Sequence, residues 1–176
     1  MKTVLIIIAQ RGFQDYEYSE TRNKLESADV KIVVASVSKG ICYGTFGSTV
    51  KPNLSLDEVN ISDFNAIVFI GGEGMSAVRQ SSDATRIVSE AHKSGKVIGA
   101  ICWAPTILAK SGILQGKKAT VWLGYDDEFK LTTDKYLEQR GAHFTGESIT
   151  VDGKIITANG PAAAKMFGDM LSKLLD

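Results

Sequence analysis

Cysteine and histidine are scarce in this chain, with two of each among 176 residues. Two cysteines, Cys42 and Cys102, argue against a disulfide framework and cannot on their own supply a zinc site. Charge of either sign is not in excess, since Lys plus Arg and Asp plus Glu each number 20. With no basic run or stripe, nucleic acid and anionic membrane are poor partners. The apolar run Val4–Ile8 is too short for a signal-peptide core and far too short to span a bilayer, so the expectation is the first strand of a cytoplasmic protein. No repeat, linker or low-complexity stretch divides the sequence, and its length suits one domain over residues 1–176.

What the chain does have is a continuous apolar or glycine run, Val97–Ile101, that meets a helix start at Cys102. Such a run fits a strand buried on both faces, and Pro105 suits the first turn of the helix that follows. A sharp strand-to-helix corner strains its central residue and tolerates only small residues two places either side, which Ala100 and Ala104 satisfy. A helix N-terminus also favours the thiolate, the reactive form of cysteine. A buried core cysteine is the alternative, and the corner pattern favours the nucleophile.

Strand and helix patterns alternate along the chain. Strands are expected at Val4–Ile8, Ile32–Ala35, Ala66–Ile70, Val97–Ile101 and Ala119–Trp122. Helices are expected from Phe13 to Ser27, Asp83 to Lys93, Thr132 to Arg140 and Pro161 to Leu175. Ile41–Tyr43 and Thr49–Val50 suggest a small hairpin appended to the sheet, and Ile149–Thr157 a second with an Asp152-Gly153 turn. This alternation indicates an α/β fold, a mainly parallel sheet with helices on both faces.

In such sheets ligands bind at the carboxyl ends of the strands. Cys102, the Gly71-Gly72 pair and Glu17 all follow the carboxyl ends of their strands. Two glycines allow backbone N–H groups to approach a reacting carbonyl oxygen, and a carboxyl group near a cysteine takes its proton or hydrogen-bonds its thiolate. Gly71-Gly72 also fits a plain tight turn, and Glu17 a helix-dipole acid. Neither histidine is placed to help: His92 ends a helix at the far end of the elbow strand, about 17 Å from Cys102, and the position of His143 is not fixed. Gly71-Gly72-Glu73-Gly74 has neither the lysine of a P-loop nor dinucleotide-fingerprint spacing, so no cofactor is expected. Asp126-Asp127-Glu128 reads as a solvated acidic helix start in preference to a cation site, Cys42 as a hairpin packing residue, and Trp122 as core at a strand end.

Ala100-Ile101-Cys102-Trp103-Ala104-Pro105 resembles the Ala-Ile-Cys-x-x-Pro elbow of the ThiJ/PfpI superfamily. Gly12-Phe13-Gln14-Asp15-Tyr16-Glu17 is similar to its Gly-Phe-x-Asp-x-Glu segment, Ile70-Gly71-Gly72 to its oxyanion turn, and Asp152–Pro161 to its late hairpin and last turn. The resemblance covers essentially the whole chain. It implies a flavodoxin-like three-layer sandwich and a homodimer or larger homo-oligomer; from the residues themselves no metal is expected. It further implies that Glu17 hydrogen-bonds a reactive Cys102, with the amides of Gly72 and Trp103 as oxyanion donors. Gly71, Trp122 and Asn159 are the substrate-binding candidates. Trp103 replaces the histidine of the protease-like branch, Trp122 a histidine common among deglycases, and Asn159 a common arginine. The expected activity is on small-molecule or protein-adduct carbonyls, glyoxalase- or deglycase-like. Alternatives are a redox sensor with an oxidisable Cys102 and, least favoured because of Trp103, a peptidase or amidase.

Overall fold

The apolar runs assemble into one sheet in the computed structural model, which describes residues 1–176. Its strands are Thr3–Ile7 (β1), Lys31–Ser36 (β2), Leu54–Ser55 (β3), Ala66–Phe69 (β4), Val97–Ile101 (β5), Ile149–Asp152 (β6) and Ile155–Ala158 (β7). They lie in the order β6-β7-β5-β4-β1-β2-β3, and all neighbours are parallel except the β6–β7 hairpin. β4 and β5 are buried at every position, and β1 at all but its first, as strands covered on both faces should be.

The helices are Asp15–Ser27 (α1), Met75–Gln80 (α2), Ser82–Lys93 (α3), Pro105–Lys110 (α4), Thr133–Gln139 (α5) and Ala164–Leu175 (α6). α3 buries Ala84, Ile87, Val88 and Ala91, and α6 buries Ala164, Phe167, Gly168, Leu171 and Leu175. Both sets follow the spacing of one helical face. α1 packs on α6, while α3 packs with α2 and α4 against β4 and β5. Layer by layer this is the flavodoxin-like three-layer α/β sandwich. No helix is long and apolar enough to cross a membrane.

Three local expectations need correction. The 42–50 hairpin does not join the main sheet: Cys42–Gly44 pairs with Arg11–Phe13 and Thr49–Val50 in a separate three-stranded sheet. Asp15 fastens that sheet to α1 by accepting from the N–H groups of Phe46 and Ser48, each at 2.8 Å. The strand expected over Ala119–Trp122 is only Lys118–Ala119, paired with His143–Phe144. Beyond Ala119 the chain satisfies its amides elsewhere, Thr120 N–H on the Thr157 hydroxyl and Trp122 N–H on the Cys102 carbonyl. The acidic run 126–128 starts no helix; Asp126 lies in a two-residue strand, Tyr125–Asp126.

Register places the site. Ile7 lies opposite Phe69, Phe69 opposite Ala100, and Ala158 opposite Ile101, so β1, β4, β5 and β7 end level with one another. The strand order reverses between β1 and β4, where an α/β sheet opens a crevice.

Candidate active site

Cys102 follows β5 with φ 65°, in the left-handed region that costs a non-glycine residue about 1–3 kcal/mol. Its backbone is held there from both sides: its N–H donates to the Ala158 carbonyl at 2.9 Å and its carbonyl accepts from Trp122 N–H at 2.8 Å. Ala100 and Ala104 are fully buried, and Pro105 is the first residue of α4.

Beneath the thiol lies Gly71, where a Cβ would come within 2.4 Å of Cys102 Cβ and 2.8 Å of Glu17 Oε2. No side chain fits there, because the space between the cysteine and the carboxyl group is already filled. Gly72 has φ 117° and lies against the Gly12 carbonyl, so it too is required as glycine. α1 delivers Glu17 to this spot. The Gln14 side chain caps its N-terminus by accepting from Glu17 N–H at 2.7 Å, while Gln14 N–H donates to the Gly71 carbonyl at 2.9 Å.

Glu17 is fully buried, and its Oε2 accepts from Gly71 N–H at 2.9 Å. Its Oε1 is buried without a hydrogen-bond partner. Burial pushes the carboxyl group up to about 7, against the opposing pull of hydrogen bonds with Cys102 and Gly71. Burial likewise pushes the Cys102 thiol up, and the Glu17 carboxylate pushes it further, while the amides of Gly72 and Trp103 oppose both. The Trp103 amide just ahead of α4 pulls the thiol down, as a helix start should, and burial beside a carboxylate outweighs that pull. A proton placed on Glu17 removes the carboxylate's repulsion and leaves the thiolate to the two amides. Thiol and carboxyl group therefore titrate as a coupled pair.

The raised Glu17 value has a consequence for folding. From its ordinary 4.5 up to about 7, the folded state keeps a proton that the unfolded state has lost, so stability falls as pH rises across that window. The wild type is expected to lose about 3 kcal/mol there relative to Glu17→Gln, read by urea unfolding at a series of pH values.

Above Cys102 is a cavity of ≈ 250 Å³ lined by Gln14, Thr45, Phe46, Gly72, Glu73, Trp103, Trp122 and Pro161. Trp122 is not core but 44 % exposed, laid against Gly160, where a Cβ would meet its ring at 2.7 Å. Asn159, expected to face substrate, lines instead a smaller cavity on which Trp122 also borders, and Gly71 lies under Cys102 without walling either. His92 and His143 are exposed and line neither cavity, and Cys42 is fully buried.

Arg79 carries no sequence signal, yet it is almost fully buried beside the site. It forms ion pairs with Asp126 at 3.1 Å and Glu128 at 2.7 Å, and its guanidinium lies 4.1 Å from the Phe129 ring centre. The acidic run is therefore neither a solvated helix start nor a cation site; two of its carboxylates neutralise a buried arginine. Burial raises the Asp126 carboxyl group, but the Trp103 indole N–H and Arg79 more than offset this and hold it below the usual carboxylate range. No cluster of three or more His, Cys, Asp or Glu side chains is arranged to hold a metal ion.

The DJ-1/PfpI family matches residues 2–174. An uncharacterized protein of Methanocaldococcus jannaschii is 34% identical over 174 residues, 98% of this chain and 82% of its own. Deglycase PfpI of Pyrococcus furiosus is 29% identical over 157 residues, 89% of this chain and 90% of its own. A Caenorhabditis elegans protein named as the glutathione-independent glyoxalase DJR-1.2 is 25% identical over 175 residues, 99% of this chain and 89% of its own. Among solved structures, a ThiJ/PfpI domain protein from Brachyspira murdochii superposes with a TM-score of 0.90 at 28% identity, covering 98% of this chain and 95% of that one. With the fold shared at that level and the match running almost end to end, the chain belongs to the DJ-1/PfpI family.

Proposed function

We propose that the protein converts small reactive carbonyls, methylglyoxal or its adducts on proteins, by covalent chemistry at Cys102. The observation that carries this reading is the fully buried Glu17 carboxyl group packed across Gly71 from Cys102, which is held at φ 65°. Relatives named deglycase and glyoxalase support the same chemistry. With methylglyoxal, the Cys102 thiolate bonds to the aldehyde carbon and the carbonyl electron pair moves to oxygen, facing the amides of Gly72 and Trp103. Glu17 protonates that oxygen to give a hemithioacetal. Its carboxylate then takes the proton from the same carbon to give an enediolate, the proton returns at the neighbouring carbon, and the hydroxyl proton passes from the first oxygen to the second to leave a lactoyl thioester. Water cleaves the thioester, releasing lactate and the thiol. Methylglyoxal and water thus give lactate with no oxidant consumed. Peptidase chemistry by a Cys-His pair has no support, because neither histidine lines the cavity. Action in the cytoplasm as a homodimer or larger homo-oligomer completes the reading.

The test is lactate formation from methylglyoxal by the wild type, with intact mass recorded before and after mild peroxide. Lactate formed in step with methylglyoxal consumed is the expected result. No consumption, together with a gain of two oxygens on Cys102, overturns the reading in favour of a thiol sensor.

A further inference from the structure

Trp103 walls two cavities at once. Its indole closes one side of the ≈ 250 Å³ space above Cys102 and also lines a neighbouring ≈ 330 Å³ space bordered by Glu73, Tyr125, Asp127 and Glu128. That indole is fastened at several points. Its N–H donates to Asp126 Oδ2 at 2.7 Å, and its far edge rests on Gly124, where a Cβ would come within 2.7 Å of Trp103 Cη2. Asp126 is gripped by both terminal nitrogens of Arg79, at 3.1 and 3.2 Å. The same guanidinium donates at 3.0 Å to the Thr106 hydroxyl, which donates at 2.7 Å to the Trp103 carbonyl. Arg79 therefore reaches Trp103 twice, at the indole through Asp126 and at the backbone through Thr106.

A buried ion pair is a poor source of stability compared with apolar packing of the same volume, and in some proteins its use is to select one arrangement of its neighbours. Here the neighbour selected is the wall beside the nucleophile. We propose that Trp103 is a fixed partition limiting the size of electrophile that reaches Cys102, and that Arg79 with Asp126 is the positioning pair that keeps it in place. Glu73 borders both spaces as well, so with the indole released the two join beside that side chain and bulkier reagents enter. The inference rests on Cys102 as the reacting atom and not on carbonyl turnover, so it is tested without turnover.

The readout is the rate of Cys102 alkylation by iodoacetamide and by a fluorescein-bearing iodoacetamide, scored by peptide mass so that Cys42 is counted apart. The ratio of the bulky to the small reagent cancels any change in thiol ionisation. Asp126→Asn is expected to raise that ratio about tenfold, because the amide loses the charge that pairs with Arg79 and strengthens the bond from the indole N–H. Thr106→Val should move it in the same direction by less, and Trp103→Ala by more. In the Trp103→Ala background Asp126→Asn should change nothing further, because no indole remains to be held. A ratio unmoved by Trp103→Ala, or by both Asp126→Asn and Thr106→Val, overturns the proposal. So does an effect of Asp126→Asn that persists without the indole, since that marks general loosening. Absence of methylglyoxal conversion alongside these ratio changes contradicts the carbonyl reading alone.

Discussion

Cys102→Ala is expected to reduce methylglyoxal conversion to the uncatalysed rate, and Glu17→Gln to lower kcat/KM by about 10²–10⁴-fold, the usual weight of a positioned proton carrier. The alanine removes the only atom that bonds to the aldehyde carbon, while the fold keeps its corner, because Cys102 is held by backbone hydrogen bonds to Ala158 and Trp122. The glutamine keeps the acceptor for Gly71 N–H and the buried volume, and loses only the exchangeable proton. Glu17 is not a wall of the cavity, so the loss belongs in kcat, with KM little changed. Steady-state kinetics on the two variants separate these effects. A Glu17→Gln enzyme with normal kcat excludes the proton-transfer role.

Arg79→Ala is expected to cost about 3–5 kcal/mol of unfolding free energy, which is large for one substitution. The Arg79 side chain has no exposure and that of Asp126 only 7%, so truncation leaves a buried carboxylate facing a void. The penalty comes from the stranded charge more than from the lost attraction. Replacing both partners with apolar residues, Arg79→Met with Asp126→Leu, should therefore restore much of the loss, even though the Trp103 indole then lacks its acceptor. Urea denaturation of the single and double variants measures the difference. Equal destabilisation in both would show that packing against Phe129 and Thr106, not charge, is what Arg79 supplies.

The parts legible in the sequence are those fixed by local geometry. The apolar runs of β1, β4 and β5 declare themselves as strands buried on both faces, and Ala100, Ala104 and Pro105 mark the corner that puts Cys102 at φ 65°. Glu17 and Gly71 can be assigned to one edge of the sheet from sequence because parallel strands deliver their carboxyl ends to one side. What escaped depends on pairing across the chain. Arg79 is explained only by Asp126 and Glu128, 47 and 49 residues away. An acidic run looks solvated until its cation is known. Trp122 looks like a strand-end core residue, yet its N–H is taken by the Cys102 carbonyl, so the chain leaves the sheet and the ring turns to the cavity. α2 begins within a glycine-rich turn and has no side-chain cap, leaving no start signal to read. The sign of the thiol's shift also escaped, because burial depends on tertiary packing and here outweighs a six-residue helix.

The central claim is that Cys102 and Glu17 share one proton, and the pH dependence of Cys102 alkylation by iodoacetamide in the wild type and in Glu17→Gln tests it most directly. In the wild type the rate should rise in two steps, one of them near pH 7 where Glu17 titrates. In Glu17→Gln the step near 7 should vanish, leaving the single rise of an isolated thiol. Superimposable profiles would mean that the carboxyl group does not govern the thiol, and the proposed chemistry would lose its proton carrier.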